Sequence, residues 1–350
     1  MVRLVRVLHK ISVNPSYRSF LKNDLPESAQ ADPGYFSVMM GYDFHLSESG
    51  PKLIEVNTNT GGIWYASMDS DALKTDFPAR LKNELLNSFF DEFALFSKNP
   101  KARPKVIAIL DEQPDQQPLY KEMQVFASMF RQAGIDVVIA DAERCTRKNS
   151  GLYINDRRID MIYNRHCDFY LQTPVMEKIK NAWLNGEVCL SPNPYMYGLL
   201  ADKRRMILWS QPELMKSFGL SARETSILNQ TIPATRLLGS LSSEEAWKTR
   251  KHWVFKPDTG YASRGVYVGA KLTKTKFAEL EPQNTVIQQR IIPTLTRGGE
   301  NEVFKTDYRL FAYRERIHCV SARIYQGQVT NLHTEKGGFA KVRLVHSYRP

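Results

Sequence analysis

Between residues 104 and 163 the chain alternates short apolar runs with one amphipathic stretch. Val106-Ile-Ala-Ile-Leu110 leads into a helical stretch from Leu119 to Gln132. Gly134, Val137-Val-Ile-Ala140 and Ile159-Asp-Met-Ile-Tyr163 follow. Continuous apolar runs of this length suit strands buried on both faces, and a strand, helix, strand succession makes those strands parallel. A helix from Thr173 to Trp183 is expected next, ending near Ser191-Pro-Asn-Pro194. The pattern predicts an inserted, Rossmann-like unit over about 104–200, entered through the polar linker Ser97-Lys-Asn-Pro-Lys-Ala-Arg-Pro104.

The flanks differ in texture. Residues 1–103 read as an N-terminal segment with a basic, partly apolar start and a hairpin formed by Tyr35 to Phe44 and Lys52 to Val56. A helix from Pro78 to Phe96 follows, in which Leu81, Leu85, Phe89 and Phe93 recur every fourth residue, a core-packing stripe. A helical stretch runs from Tyr197 to Ser217. Residues 201–350 then carry short strands at Trp253–Lys256, Val266–Val268, Val286–Gln289, Tyr308–Tyr313, Ile317–Tyr325 and Gln328–Leu332, the mark of an antiparallel α+β unit. The chain as a whole combines α/β and α+β classes.

Composition excludes several functions. With 350 residues, 42% of them hydrophobic, the chain can bury a large core. Arg3, Arg6, His9 and Lys10 interrupt the apolar residues of the N-terminus, so they leave no signal-peptide core. No later run reaches membrane-spanning length, so a cytoplasmic protein without a membrane partner is expected. Cys145, Cys167, Cys189 and Cys319 form no C-x-x-C pair and read as reduced thiols. The formal charge of +11 is spread along the chain, its densest run being Lys203-Arg204-Arg205, with no zinc finger, RNP-type motif or basic tail. Anionic small molecules therefore fit better than nucleic acid.

Several segments can carry chemistry. In Lys52-Leu-Ile-Glu55-Val-Asn57-Thr-Asn59-Thr-Gly61-Gly62, Glu55 and Asn57 lie two apart and share a strand face. They offer hard oxygen ligands suited to Mg²⁺ shared with nucleotide phosphates, and the glycines let backbone N–H groups approach an anion. The alternative is a strand with a polar outer face before a polar turn. Lys256 ends another strand and opens the loop Pro257-Asp258-Thr-Gly260-Tyr-Ala-Ser263-Arg264-Gly265. This loop is neither a Walker loop nor G-x-G-x-x-G; it is able to wrap phosphate or to be an ordinary hairpin. Asp258-Thr-Gly260 has no second copy and follows Pro257, which rules out an aspartic-protease dyad.

Thr285 to Pro293 reads as a buried strand entering a linker, a place for adenine near Gln288, Gln289 and Ile291. Asp307 offers a further Mg²⁺ carboxylate and Arg323 a bidentate partner for phosphate or carboxylate, although both also suit plain strand ends. Gly337-Gly338-Phe-Ala340 is a close-approach turn. Arg165 follows a parallel strand at the edge where open α/β sheets bind ligands, which makes it a candidate for a substrate carboxylate. His166 reads as its structural neighbour.

Taken in order, these segments resemble the ATP-grasp superfamily, in the circularly permuted branch that includes eukaryotic glutathione synthetase. In ordinary ATP-grasp ligases an E-x-N motif comes after the lysine strand and glycine loop, whereas Glu55-Val-Asn57 precedes them here. The counterparts are Glu55-Val-Asn57-Thr58, Lys203, Lys256 with Gly260 to Gly265, Ile287 to Pro293, and Arg323 with Gly337-Gly338-Phe-Ala340. The chain departs from glutathione synthetase in carrying Gly41 where that family has Arg before Asp43-Phe44, Gln289 where it has Glu, and fewer glycines in the loop.

The resemblance implies a permuted ATP-grasp fold with an inserted Rossmann-like parallel-sheet domain, and an ATP-dependent carboxylate–amine ligase that forms C–N bonds through an acyl phosphate. Its cofactors would be ATP and Mg²⁺. Glu55, Asn57 and Asp307 would hold the metal. Lys203, Lys256, Asp258, Gly260, Ser263, Gly265, Gln288, Gln289 and Ile291 would bind nucleotide, and Arg323 with Lys256 would serve catalysis. Asp43, Thr58, Asn59, Gly61, Gly62, Arg165, Gly337 and Gly338 would meet the small-molecule carboxylate and amine. A nucleotide-binding sensor or scaffold without ligation is the alternative, and a homodimer stays open.

Overall fold

A computed structural model describes residues 1–68, 77–257, 265–298, 302–328, 330 and 335–342. The apolar runs pair as their composition requires. Val106–Asp111 lies between Asp136–Asp141 and Met161–Asn164, and Cys189–Ser191 adds a fourth strand, all parallel. Helix Tyr120–Gln132 lays Met123, Phe126, Ala127 and Phe130 on one face of this sheet, where Leu81, Leu85 and Phe89 of Ala79–Phe96 join them. The fourfold stripe of the N-terminal segment is thus core shared with the parallel sheet. A small antiparallel sheet, Thr146–Lys148, Gly151–Ile154 and Arg157–Arg158, was not expected; two of its strands are exposed and lack an apolar run.

Two antiparallel sheets make up the rest. The larger runs Gly338–Lys341, Arg316–Tyr325, Val303–Tyr313, Met40–Ser47, Gly50–Asn57, with Thr294–Arg297 beside the first half of Val303–Tyr313. Its register sets Asp43 opposite both Arg309 and Glu55, and Asp307 opposite Arg323. The smaller runs Thr235–Leu237, Thr285–Gln289, Trp253–Pro257, Tyr267–Val268.

Two expectations need correction, and the N-terminal stretch takes a definite form. The helix expected from Tyr197 to Ser217 is broken into a π-turn Tyr197–Ala201 and two short helices, Arg205–Trp209 and Pro212–Ser217. Asp202 turns extended, and Pro212, lacking an N–H, can only begin a helix. The basic N-terminus is a helix, Val2–Ser12, that buries Leu4, Val5, Leu8 and Ile11 and leaves Arg3, Arg6 and Lys10 exposed. It packs against Ala222–Thr231. The strand expected from Tyr35 begins at Met40, after Met39 takes a left-handed turn. Most of Gln328–Leu332 lies outside the described residues. Among the described residues no helix is long and apolar enough to cross a membrane.

Glu92 joins these layers. It is fully buried and accepts hydrogen bonds from Phe36 N (3.1 Å), Tyr313 Oη (2.9 Å) and Ser191 Oγ (3.3 Å). Burial pushes its carboxyl up to about 8, although those donors pull the other way.

Candidate functional site

A cleft of about 560 Å³ is lined by both antiparallel sheets and by residues that follow the parallel strand Met161–Asn164. Its floor is a chain of charges built by strand register. Arg309 Nε and Nη2 donate to the two oxygens of Asp43 at 2.6 Å each. Arg323 Nη2 reaches Asp43 at 2.8 Å, while its Nε and Nη2 grip Asp307 at 2.6 and 3.0 Å. Thr330 Oγ1 donates to Asp307 at 2.5 Å. Asn57 Nδ2 donates to Asp43 (3.2 Å) and Glu55 (3.3 Å), which fixes the two-apart pair on one face. Burial opposes the charge on Asp43, but Arg309 and Arg323 overcome it and hold the carboxyl well below the usual range.

Lys256 rises from the smaller sheet to meet this floor. Its Nζ donates to Ile54 O (2.8 Å) and Gln288 Oε1 (2.7 Å). Burial lowers it to about 8; Glu55 pulls it back up and Lys203 pushes it further down, so the two lysines and Glu55 share one field. Beyond them, Val254, Val266, Val268 and Ile291 supply apolar wall, with Lys271, Arg290 and Lys305 beside it. The ring of His45 donates from Nδ1 to Ile291 O at 3.1 Å, since a carbonyl oxygen only accepts, and burial depresses its basicity.

At the other end the Thr58–Gly62 turn is pressed between side chains. Gly62 has φ +98°, and a Cβ there would stand 1.9 Å from Phe339 Cζ. A Cβ at Gly61 would stand 2.3 Å from Leu119 and 2.5 Å from Arg165 Nη2. The N–H of Gly62 goes to Glu122 Oε1 and Oε2 (3.0 and 2.8 Å) and that of Trp64 to Oε1 (2.9 Å), so a carboxylate from helix Tyr120–Gln132 already occupies this anion-binding turn. Arg165 Nη1 donates to Asn59 O and Thr60 O, both at 2.8 Å.

Of the residues singled out from sequence, Glu55, Asn57, Asp307, Lys203, Lys256, Gln288, Gln289, Ile291, Arg323, Asp43, Thr58, Asn59, Gly61 and Arg165 line this one cleft. Gly62 lies behind it against Glu122, and Gly338 sits in the edge strand that brings Phe339 to the wall, with Gly337 just before it. Gly265, at φ +72°, packs on Pro257. Asp258, Gly260 and Ser263 lie outside the described residues. Sequence reasoning missed Arg309 and Glu122. Alternation from Asp307 puts Arg309 on the same strand face, whereas nothing in the helix of Glu122 marks it as a partner for a distant turn.

For a metal, the described residues hold no group of three or more His, Cys, Asp or Glu side chains suited to an ion. Guanidinium groups engage Asp43 and Asp307, leaving Glu55 and Asn57 as the adjacent oxygen donors. Such a pair fits Mg²⁺, which is often held by one or two carboxylates together with substrate phosphates and water.

No family model and no curated protein matches the chain. Solved structures do. One is a glutathione synthetase-like effector from Globodera pallida in its apo form, with TM-score 0.53 and 11% identity over 92% of this chain and 81% of that one. Another, from Methylobacillus flagellatus, is described as a "putative gamma-glutamylcysteine synthetase", with TM-score 0.53 and 10% identity over 96% and 85%. At such identity the likeness is one of architecture, and the chain shares the overall fold of these two ligase-like structures.

Proposed function

We propose that this protein is an ATP-dependent carboxylate–amine ligase of the permuted ATP-grasp type, with residues 104–200 as its inserted substrate unit. One observation carries the reading: Glu55, Asn57, Lys203, Lys256, Asp307 and Arg323, scattered over the sequence, line one cleft that has an apolar wall at one end. A substrate carboxylate oxygen attacks the γ-phosphorus of ATP, the bond to the β–γ bridging oxygen breaks, and ADP leaves. The amine nitrogen then attacks the acyl carbon, the C–O bond to phosphate breaks, and the nitrogen gives up a proton. Lys203 and Lys256 neutralise the phosphates, and Arg323 stabilises charge at the transferred phosphoryl. Mg²⁺, held by Glu55 and Asn57, would offset charge on the phosphate oxygens. Asp307 orients Arg323 and is a metal ligand only where Arg323 releases it.

The bridge that Arg323 makes between Asp43 and Asp307 favours a second reading, a nucleotide sensor or scaffold without ligation, because it ties up two carboxylates. Phosphate release from ATP against a panel of amino acids, short peptides and polyamines separates the two. Substrate-dependent release that Glu55→Gln abolishes supports the ligase. ATP binding without release under any pairing supports the sensor.

A further inference from the structure

The end of the cleft around the Thr58–Gly62 turn is poorly suited to a substrate with several charges. Three cations reach it among the described residues, and each is engaged. Arg165 is 6% exposed and spends Nη1 on the carbonyls of Asn59 and Thr60. Arg309 chelates Asp43 and sends Nη1 to Gly61 O at 3.3 Å, while Arg323 spans Asp43 and Asp307. The anion-binding N–H groups of Gly62 and Trp64 already face Glu122. Thr60 occupies the space over Gly41, where a Cβ would stand 2.2 Å from its Oγ1, so that strand position projects no side chain into the cleft. A dicarboxylate placed here would lose water and find only guanidinium groups that are already engaged for its second charge. With Glu55 assigned to the metal, the ammonium of a zwitterion would have to displace Arg309 or Arg323 from Asp43 or Asp307, a cost of several kcal/mol for an unpaired ion.

Apolar and aromatic side chains also line the cleft. Phe169 and Tyr197 stack with centroids 4.4 Å apart and planes 14° from parallel, presenting a flat wall. Phe339 and Leu119 close on the turn from its two sides, and Cys167 lies beside it, 3.4 Å from Asn59 Nδ2. Aromatic faces in a half-enclosed cleft reward an apolar body by area removed from water and by ring contacts. We infer that the carboxylate accepted by this cleft has an aromatic or branched apolar body and one charged end, the reacting carboxylate, directed toward the phosphate-binding lysines. This deepens the ligase reading and rests on it for the orientation of the substrate.

The test has two arms. In the first, the full-length protein is given ATP, Mg²⁺ and hydroxylamine, which traps an acyl phosphate as a hydroxamate, with 3-phenylpropionate, glutamate or glycylglycine as the acid. Hydroxamate formation from 3-phenylpropionate with kcat/KM at least about tenfold above the other two is expected, and Phe169→Ala should lower it by about tenfold while ATP affinity stays within about twofold. Equal or better use of glutamate or glycylglycine overturns the inference and leaves the ligase intact. The second arm needs no turnover: alkylation of Cys167 by iodoacetamide, followed by peptide mass spectrometry, should be slowed by 3-phenylpropionate and not by glutamate. Absence of hydroxamate from every acid counts against the ligase, and the Cys167 protection pattern still decides the inference. Failure of 3-phenylpropionate to protect overturns it.

Discussion

Replacing Glu92 by Gln should raise the stability of this protein at neutral and alkaline pH, even though it removes a buried acid from three hydrogen bonds. The carboxyl is held by Phe36 N, Tyr313 Oη and Ser191 Oγ, and burial keeps its proton on to about pH 8, against an ordinary value of 4.5 in the unfolded chain. The sign follows from proton counting. Below the unfolded value both states are neutral and stability is at its full level. Between the two values only the unfolded chain ionises, so stability falls as pH rises, and it levels off above the folded value. At about 1.4 kcal/mol per tenfold change, that interval costs the fold on the order of 5 kcal/mol. A glutamine amide copies the size of the neutral acid and can donate to Ser191 Oγ as a protonated carboxyl would. Urea unfolding of both proteins from pH 5 to pH 9 isolates the contribution, since every other titrating group is common to the two. The wild-type curve should fall relative to the variant by roughly 3–5 kcal/mol, most of it below pH 8. Parallel curves would show that Glu92 is ionised in the fold and refute the reasoning, and a variant less stable at every pH would refute the gain in stability.

Other perturbations address the cleft. Glu55→Gln should abolish ATP-dependent phosphate release while changing the unfolding free energy by no more than about 1 kcal/mol, since Glu55 is half-buried and a glutamine oxygen can still accept from Asn57. Lys256, lowered to about 8 by burial, is partly neutral in mild alkali. ATP affinity should therefore fall as pH rises through 8, with proton uptake visible by calorimetry in buffers of different ionisation enthalpy, and Lys256→Met should remove both effects. Gly62→Ala places a methyl into the Phe339 ring at a left-handed φ, which should destabilise the protein by about 1–3 kcal/mol in thermal unfolding.

What could be read in the sequence was whatever followed a short period. The parallel strands stood out because burial on both faces makes them uniformly apolar, and Glu55 and Asn57 stood out because strand residues two apart must share a face. The same rule applied to Asp307 reaches Arg309, the residue that neutralises Asp43. That step needs Asp43 and Arg309 in register, and the pairing lies in tertiary structure. Glu122 was illegible for the same reason, since a glutamate in the first turn of an amphipathic helix looks solvated until a distant turn is packed onto it. The broken stretch after Tyr197 was legible in part. Pro212 marked the last break, but the π-turn and the extended Asp202 depend on contacts that periodicity does not record.

The register of the larger sheet also bears on how the protein is made. Met40–Ser47 finds one neighbour at once in Gly50–Asn57, but its other edge pairs with Val303–Tyr313, and the Asp43–Arg309 contact spans 266 residues. During synthesis that edge stays open while the whole parallel sheet emerges and folds, exposing unpaired N–H and C=O groups that any extended segment could capture. Closing so long a loop is slow, so the ion chain on the cleft floor is expected to form late in folding. A polypeptide interrupted before the Asp307 strand would present both a complete parallel sheet and a sticky hairpin edge, a target for chaperones rather than a smaller working protein.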